Sequence, residues 1–149
     1  MPITVTAPAG VLTHDGERAV IPRLTHAVLD ISGGIGNDFF TSLIGGILNI
    51  LPPTTIYGGG VNRPIVIVEL KLPNIGLPSL DNRREFIDAA TRIVAESTRP
   101  DHDPKNIWVN VINAPDGGWG IAGQAYTGDE LINSIAGQAK ANSVLDSPS

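Results

Sequence analysis

The chain has 149 residues, of which 42% are hydrophobic and 17% charged, as is typical of a soluble globular protein with its own core. Ten basic against fifteen acidic residues give a net charge of −5, which argues against a nucleic-acid partner because phosphate binding needs a basic face. The absence of cysteine excludes disulfides and thiol chemistry, the three scattered histidines show no metal-ligand spacing, and no segment predicts a membrane span or a signal peptide.

Pro2 stands at the head of the first predicted strand, Ile3 to Thr6. Met1 is normally trimmed before a small residue such as proline, and trimming would leave Pro2 with a free secondary amine. Such an amine takes up a proton, gives one or attacks a carbonyl, and its pKa moves readily with desolvation or nearby charge. Pro2 is therefore a candidate catalytic residue, although the ordinary interpretation is that a Met-Pro start has no chemical role.

A first helix is predicted after the polar turn at Thr13 to Gly16. Pro22 inside this segment lacks an N–H, so we expect the helix to begin late or to bend there. Gly33 and Gly34 are expected to end it, a strand is expected near Leu48 to Leu51, and glycines 58–60 are expected to link the two halves. The apolar residues that recur at helical spacing are Val20, Leu24, Ala27, Val28 and Ile31.

The second half repeats this plan. A strand runs from Pro64 to Leu72, and its continuous apolar residues predict burial on both faces. Ser79 or Asp81 can cap a second helix, whose apolar stripe includes Phe86, Ala90 and Ile93. The segment ends with a strand at 107–111, a turn at 115–118, a short helix from Gly128 and a polar end, 142–149, that we expect to be frayed.

The two halves are related by an offset of 62 residues, the distance from Pro2 to Pro64. This shift aligns the apolar helix faces and also aligns Tyr57-Gly58 with Trp119-Gly120. We therefore predict one α+β domain over 1–149, built from β-α-β units at about 2–57 and 64–127 and an extension at 128–149. The units form a four-stranded mixed sheet with two helices on one face, and the uncovered face is expected to be buried by association.

With these features in place, the chain resembles the tautomerase superfamily, whose members carry a catalytic amino-terminal proline and assemble as trimers or hexamers. The run Pro64 to Val68 looks like the start of a short 4-oxalocrotonate tautomerase chain, and Trp119 to Gly123 looks like its aromatic-Gly hairpin. The segment Asn113 to Leu131 is more similar to malonate semialdehyde decarboxylase, a fused two-unit type related to the cis-3-chloroacrylate dehalogenases. The resemblance implies a cofactor-independent homotrimer that acts on a small carboxylate, and the absence of cysteine fits a cytoplasmic setting.

The resemblance also assigns site residues. Pro2 matches the catalytic proline, and Asp38 falls near the catalytic aspartate of the decarboxylases. Lys71 is the one cation in the loop where decarboxylases and dehalogenases have paired arginines, and Trp119 matches the aromatic wall of the pocket. The remaining substrate-binding candidates are Tyr57, Trp108 and Asn110.

Three functions follow as hypotheses. In an apolar pocket, desolvation would lower the pKa of Pro2, and the neutral amine would move the proton next to a carbonyl, which is keto–enol tautomerisation of a small acid. If Asp38 lies beside Pro2, the ammonium form is favoured, and Pro2 becomes a general acid for hydration or decarboxylation of a three-carbon acid. The missing arginines instead support a non-catalytic trimeric scaffold. A ferredoxin-like ligand-binding domain would also give β-α-β repeats, but it does not call for Pro2 or the hairpin.

Overall fold

A computed structural model describes residues 1–145, with side chains described up to residue 138. The strands are β1 Ile3–Pro8, β2 Gly46–Leu51, β3 Tyr57–Gly58, β4 Val61–Asn62, β5 Val66–Leu72, β6 Ile107–Asn113, β7 Trp119–Ile121 and β8 Gln124–Tyr126. The α-helices are α1 His14–Ile31, α2 Asp38–Ser42, α3 Leu80–Ser97 and α4 Gly128–Leu145. In this described part of the chain, none of the helices is both long and apolar enough to cross a membrane.

The main sheet has four strands in the order β2-β1-β5-β6. Strands β1 and β2 are parallel, as are β5 and β6, whereas the central pair β1 and β5 is antiparallel. Each parallel pair is joined by a crossover that contains α1 or α3, as β-α-β units require. The predicted mixed sheet is therefore confirmed.

Helices α1 and α3 cover one face of this sheet and close the core. Leu24 and Phe86, which the 62-residue offset aligns, are both fully buried, and so are Val28 and Ala90. The helices themselves begin 66 residues apart, at His14 and Leu80. The 62-residue offset therefore relates the buried positions, where packing constrains the sequence. The first residues of the two helices are separated by a different offset.

Pro22 led us to expect that helix α1 begins late or bends. The late start is wrong, because the helix begins at His14, well before Pro22. Thr13 caps it by accepting a hydrogen bond from the Gly16 N–H at 2.9 Å, and the helix continues through Pro22 to Ile31. Pro22 is exposed, so water can satisfy the backbone carbonyl that loses its helical partner.

Three other local expectations change. Strand β5 is buried on one face only: its side chains alternate, and Lys71 is exposed. The glycines at 58–60 are not a plain linker, because Gly59 and Gly60, both with positive φ, form the turn of the β3–β4 hairpin. Helix α4 has 18 residues rather than being short, and it extends to Leu145, so of the expected frayed end only 146–149 lies outside the described residues.

The sheet face opposite α1 and α3 is uncovered in the single chain, and we call it the open face. Large apolar side chains stand on it, since Ile47 is 53%, Trp108 41% and Ile112 46% exposed. Several large apolar side chains exposed on one sheet face favour an interaction site there. The strand register places Thr4, Thr6, Ile47, Ile67, Glu69, Lys71, Trp108, Asn110 and Ile112 on this face.

Candidate active site

The start of β1 is held on both sides by backbone hydrogen bonds. The Ile3 N–H donates to the Gly45 carbonyl at 2.8 Å, and the Lys71 N–H donates to the Pro2 carbonyl at 3.1 Å. In the antiparallel register Ile3 faces Leu70, so Pro2 lies across from Lys71 at the end of β5. The pairing of β1 with β5 therefore brings the candidate catalytic proline beside the candidate cation.

A cavity of about 650 Å³ opens at this end of the sheet, and we call it the Pro2 cavity. It brings together three of the predicted site residues, Pro2, Lys71 and Trp119, which come from β1, β5 and β7. The other residues that line it include Met1, Leu43, Gly45, Leu72, Ile112 and Ile121.

Met1 is present at the head of β1 and is 6% exposed, so in this form the Pro2 nitrogen is an amide. The Met1 amino group donates to the Leu43 carbonyl. Burial lowers the pKa of this amino group from 8.0 to about 5, because desolvation disfavours the charged form. The Met1 amine is therefore mostly neutral at pH 7.

The charge in the Pro2 cavity comes from one residue. Among the described lining residues, Lys71 has the single charged side chain, and there is no aspartate or glutamate. No group of His, Asp and Glu side chains in the described part of the chain has the arrangement of a metal site. The cavity can thus attract one anionic group, and its described lining offers no carboxylate that would stabilise the protonated form of an amine.

Trp119 forms part of the cavity wall and carries an unusual indole nitrogen. Its Nε1–H is buried and has no hydrogen-bond partner among the described residues. A buried donor left unpaired costs about 1–3 kcal/mol, so an acceptor on a ligand or a water would be favoured there. The ring position follows from the turn at 115–118, in which Gly117 has a φ of 74° and the Gly118 N–H donates to the Pro115 carbonyl at 2.8 Å.

Side chains next to the cavity fix the loops that shape it. The Asn113 Nδ2 donates to the carbonyls of Pro73 and Gly76 at 2.9 and 2.8 Å, which holds the loop after β5 against the end of β6. Asp116 Oδ1 accepts from Asn74 Nδ2 at 3.1 Å and from the Gly128 N–H at 2.8 Å. The turn before Trp119, the loop after Lys71 and the start of α4 are thereby joined.

The structure does not bring the other four predicted site residues into the Pro2 cavity. Asp38 is exposed at the start of α2, and Tyr57 lies beyond β2 at the opposite end of the sheet, 57% exposed. Asn110 is on the open face, one row of side chains from Lys71, and Trp108 is a further row away. A row of two residues spans about 7 Å along a strand, so a ligand at Lys71 reaches Asn110 more easily than Trp108.

Ile112 and Leu43 are among the cavity residues that were not predicted as site residues. Ile112 pairs with Lys71 across β5 and β6 and continues the alternation of Trp108 and Asn110, so the strand period could have identified it. Leu43, whose carbonyl receives the Met1 amine, follows the five-residue helix α2. A helix of five residues is too short to show a periodic pattern in the sequence. The position of Leu43 beside the Met1 amine is therefore known only from the structure.

Comparisons with solved structures show which fold this is. Native fused 4-OT matches with 24% sequence identity and a TM-score of 0.68, covering 84% of this chain and 95% of that chain. N1, a member of the cis-3-chloroacrylic acid dehalogenase (cis-CaaD) family, matches with 18% identity and a TM-score of 0.69, covering 94% and 99%. A fused 4-OT named Q0, solved as a symmetric trimer, matches with 17% identity and a TM-score of 0.70, covering 88% and 98%.

No protein-family model matches the sequence, and no curated protein sequence matches it significantly. The likeness to known proteins is therefore a likeness of fold, and the solved structures confirm the predicted fold. The chain has the fused, two-unit fold of the tautomerase superfamily.

Proposed function

We propose that this protein is a cofactor-independent tautomerase that acts on a small keto or enol acid, with the amino-terminal nitrogen of Pro2 as the general base. The observation that carries the proposal is the desolvated amino end of β1, where burial lowers the pKa of the Met1 amine, in a cavity whose described lining has Lys71 as its one charged side chain. Removal of Met1 would make Pro2 the terminal amine at this same end of the strand.

The proposed reaction uses groups that line the cavity. The substrate carboxylate pairs with the Lys71 ammonium, and the neutral Pro2 amine removes the proton from the carbon next to the carbonyl. The electron pair becomes the C=C bond as the C=O π electrons move to the oxygen, which then takes the proton back from the Pro2 ammonium to give the enol. Ketonisation is the reverse: the Pro2 amine removes the enol proton and returns it to the carbon. The unpaired Trp119 N–H can donate a hydrogen bond to the substrate oxygen on which negative charge develops. This bond would give the N–H a partner and stabilise that charge.

The geometry favours a base over an acid at Pro2. The alternative, a decarboxylase or hydratase, needs a carboxylate that keeps Pro2 protonated, and its candidate Asp38 lies outside the lining of the Pro2 cavity. A non-catalytic scaffold has no use for a desolvated amine. The tautomerase is therefore the function that we propose.

Two measurements test this function directly. Mass spectrometry of the intact protein should show that Met1 is removed. The trimmed protein should then accelerate the ketonisation of phenylenolpyruvate, followed by the loss of enol absorbance. A trimmed protein with no acceleration over buffer would contradict the proposal.

Trp119→Phe is expected to reduce kcat/KM by about tenfold, because phenylalanine keeps an apolar wall but loses the donor to a charged oxygen. Thermal stability should remain equal or rise, because the substitution also removes an unpaired buried N–H. Enzyme kinetics and thermal unfolding on the same preparations check the two effects.

Trp108→Phe is the matched control for this substitution. Its indole N–H already donates to the Lys105 carbonyl at 3.1 Å and lies outside the cavity lining. Wild-type activity in Trp119→Phe would show that the indole N–H has no part in the reaction.

We also propose that the protein is a homotrimer whose open face is buried between subunits. Two fused 4-OT structures of the same fold are trimers, which supports the number of subunits. The exposed Ile47 and Trp108 provide the apolar surface for this contact. Burial there would also bring Asn110 and Trp108 close to a neighbouring subunit. Sedimentation equilibrium should give three times the 15.6 kDa chain mass, and a monomer at micromolar concentration would contradict the assembly.

A further inference from the structure

A second cavity shares Met1 and Leu72 with the Pro2 cavity and has a volume of about 420 Å³, and we call it the α4 pocket. It is enclosed by α4, by α2 and by the loop after β5. Its described lining contains no charged side chain, and its apolar residues include Phe40, Leu72, Leu77, Leu131, Ile135 and Ala136. A largely apolar concave site of this size falls in the range of small-molecule pockets, which is about 300–1,000 Å³.

Met1 borders both cavities. It is a lining residue of both, as is Leu72, and it packs into the hydrophobic core with 6% of its surface exposed. Met1 is also the residue whose removal the proposed function requires. Its departure would leave, at the border of both cavities, the apolar space that its side chain occupied.

We propose that the α4 pocket binds the apolar substituent of the substrate in the trimmed protein. This inference rests on the proposed function, because it needs Met1 to be removed. The two cavities then divide the substrate chemically: its carboxylate pairs with Lys71, its reacting carbon lies at Pro2, and its hydrocarbon end extends beneath α4. The substrate class is therefore a 2-keto or enol acid with an extended alkyl or aryl group, rather than a three-carbon acid or a dicarboxylate.

The charge pattern supports this division. A second carboxylate in the α4 pocket would be desolvated without a cation among the described lining residues, which is costly. A hydrocarbon chain instead gains free energy for each methylene that leaves water. The α4 pocket thus favours substrates whose end remote from the reacting carbon is a hydrocarbon over substrates that have a second carboxylate there.

Binding of saturated fatty acids, which cannot react, tests the pocket without relying on catalysis. For the trimmed protein, calorimetry should show that Kd falls from butanoate to octanoate, by about three- to fourfold for each methylene that is buried. In Ala136→Trp, the indole should fill the pocket and abolish this dependence on chain length. Asn133→Trp is the matched control, because Asn133 is exposed on the same helix but does not line the pocket, so its chain-length dependence should match wild type.

The role of Met1 is tested by a second pair of variants. Pro2→Ala is expected to be trimmed, whereas Pro2→Leu keeps Met1 because its second residue is large, and mass spectrometry verifies both. Chain-length dependence should persist in Pro2→Ala and vanish in Pro2→Leu.

Equal Kd values from butanoate to octanoate in the trimmed wild type would overturn the proposal, as would an unchanged dependence in Ala136→Trp with native circular dichroism. Either result leaves the tautomerase proposal standing if phenylenolpyruvate is ketonised. Conversely, a clear chain-length dependence without ketonisation would support the pocket and contradict the catalytic proposal.

Discussion

Pro2→Ala is expected to reduce kcat/KM for phenylenolpyruvate ketonisation by about 10²-fold or more in the trimmed protein, because positioned general acid–base groups contribute about 10²–10⁴-fold. Alanine leaves a primary amine at the head of β1, so a residual rate is expected rather than none. Stopped-flow or steady-state kinetics at several pH values measure the effect.

The control for this prediction is Pro64→Ala. Pro64 is the counterpart of Pro2 in the second unit, but its nitrogen is an internal amide and cannot accept a proton. Its replacement should leave kcat/KM near wild type. Equal rates for wild type and Pro2→Ala would instead remove Pro2 from the mechanism.

The pH profile of the wild type gives the protonation state of Pro2. Burial at the head of β1 lowers the pKa of the Met1 amine to about 5, and the same desolvation would act on the terminal amine of Pro2. A base must be neutral to act, so kcat/KM should rise with pH through the Pro2 pKa and level off above it. A profile that falls as pH rises through this range would identify an acid and favour hydration or decarboxylation.

The parts of the fold that the sequence could predict are those fixed by periodic packing. The helix faces at Leu24 and Phe86 recur at the offset that separates Pro2 from Pro64, and both residues are fully buried. The alternation of β5, by contrast, was masked by its run of apolar residues. One face of this strand contacts the helices. The other face, with Ile67 and Lys71, belongs to the open face, where apolar residues are available for contact with another subunit.

The candidate site was predictable only in part, because its residues meet through strand pairing. Pro2 and Lys71 are far apart in the sequence but lie across from each other in the β1–β5 register, and the turn at 115–118 adds Trp119. Asp38 was placed by its distance from the chain start, and α2 presents it on the surface instead. The position of Met1 at the border of two cavities had no sequence signal, because it depends on α4, whose length the sequence analysis underestimated.

Lys71→Gln is the second large effect that we expect, with kcat/KM for phenylenolpyruvate lowered by about 10- to 100-fold. Lys71 is the one charged side chain in the described lining of the Pro2 cavity, so its loss leaves the substrate carboxylate with neutral donors only. Hydrogen bonds to charged groups contribute about 1.5–3 kcal/mol, which corresponds to this range. Most of the loss should appear in KM, since the carboxylate is bound in the ground state as well as in the transition state.

Lys71→Arg separates charge from shape in this prediction. Arginine keeps the positive charge and offers two parallel donors to a carboxylate, so KM should stay within a few-fold of wild type. The glutamine variant should also lose the dependence of KM on salt, because screening acts on the Lys71–carboxylate attraction. If Lys71→Gln keeps the wild-type KM and its salt dependence, the carboxylate is held elsewhere. The exposed Lys71 would then be a surface residue of the open face, and the substrate anion would have to be recognised by a group that a neighbouring subunit brings to the cavity.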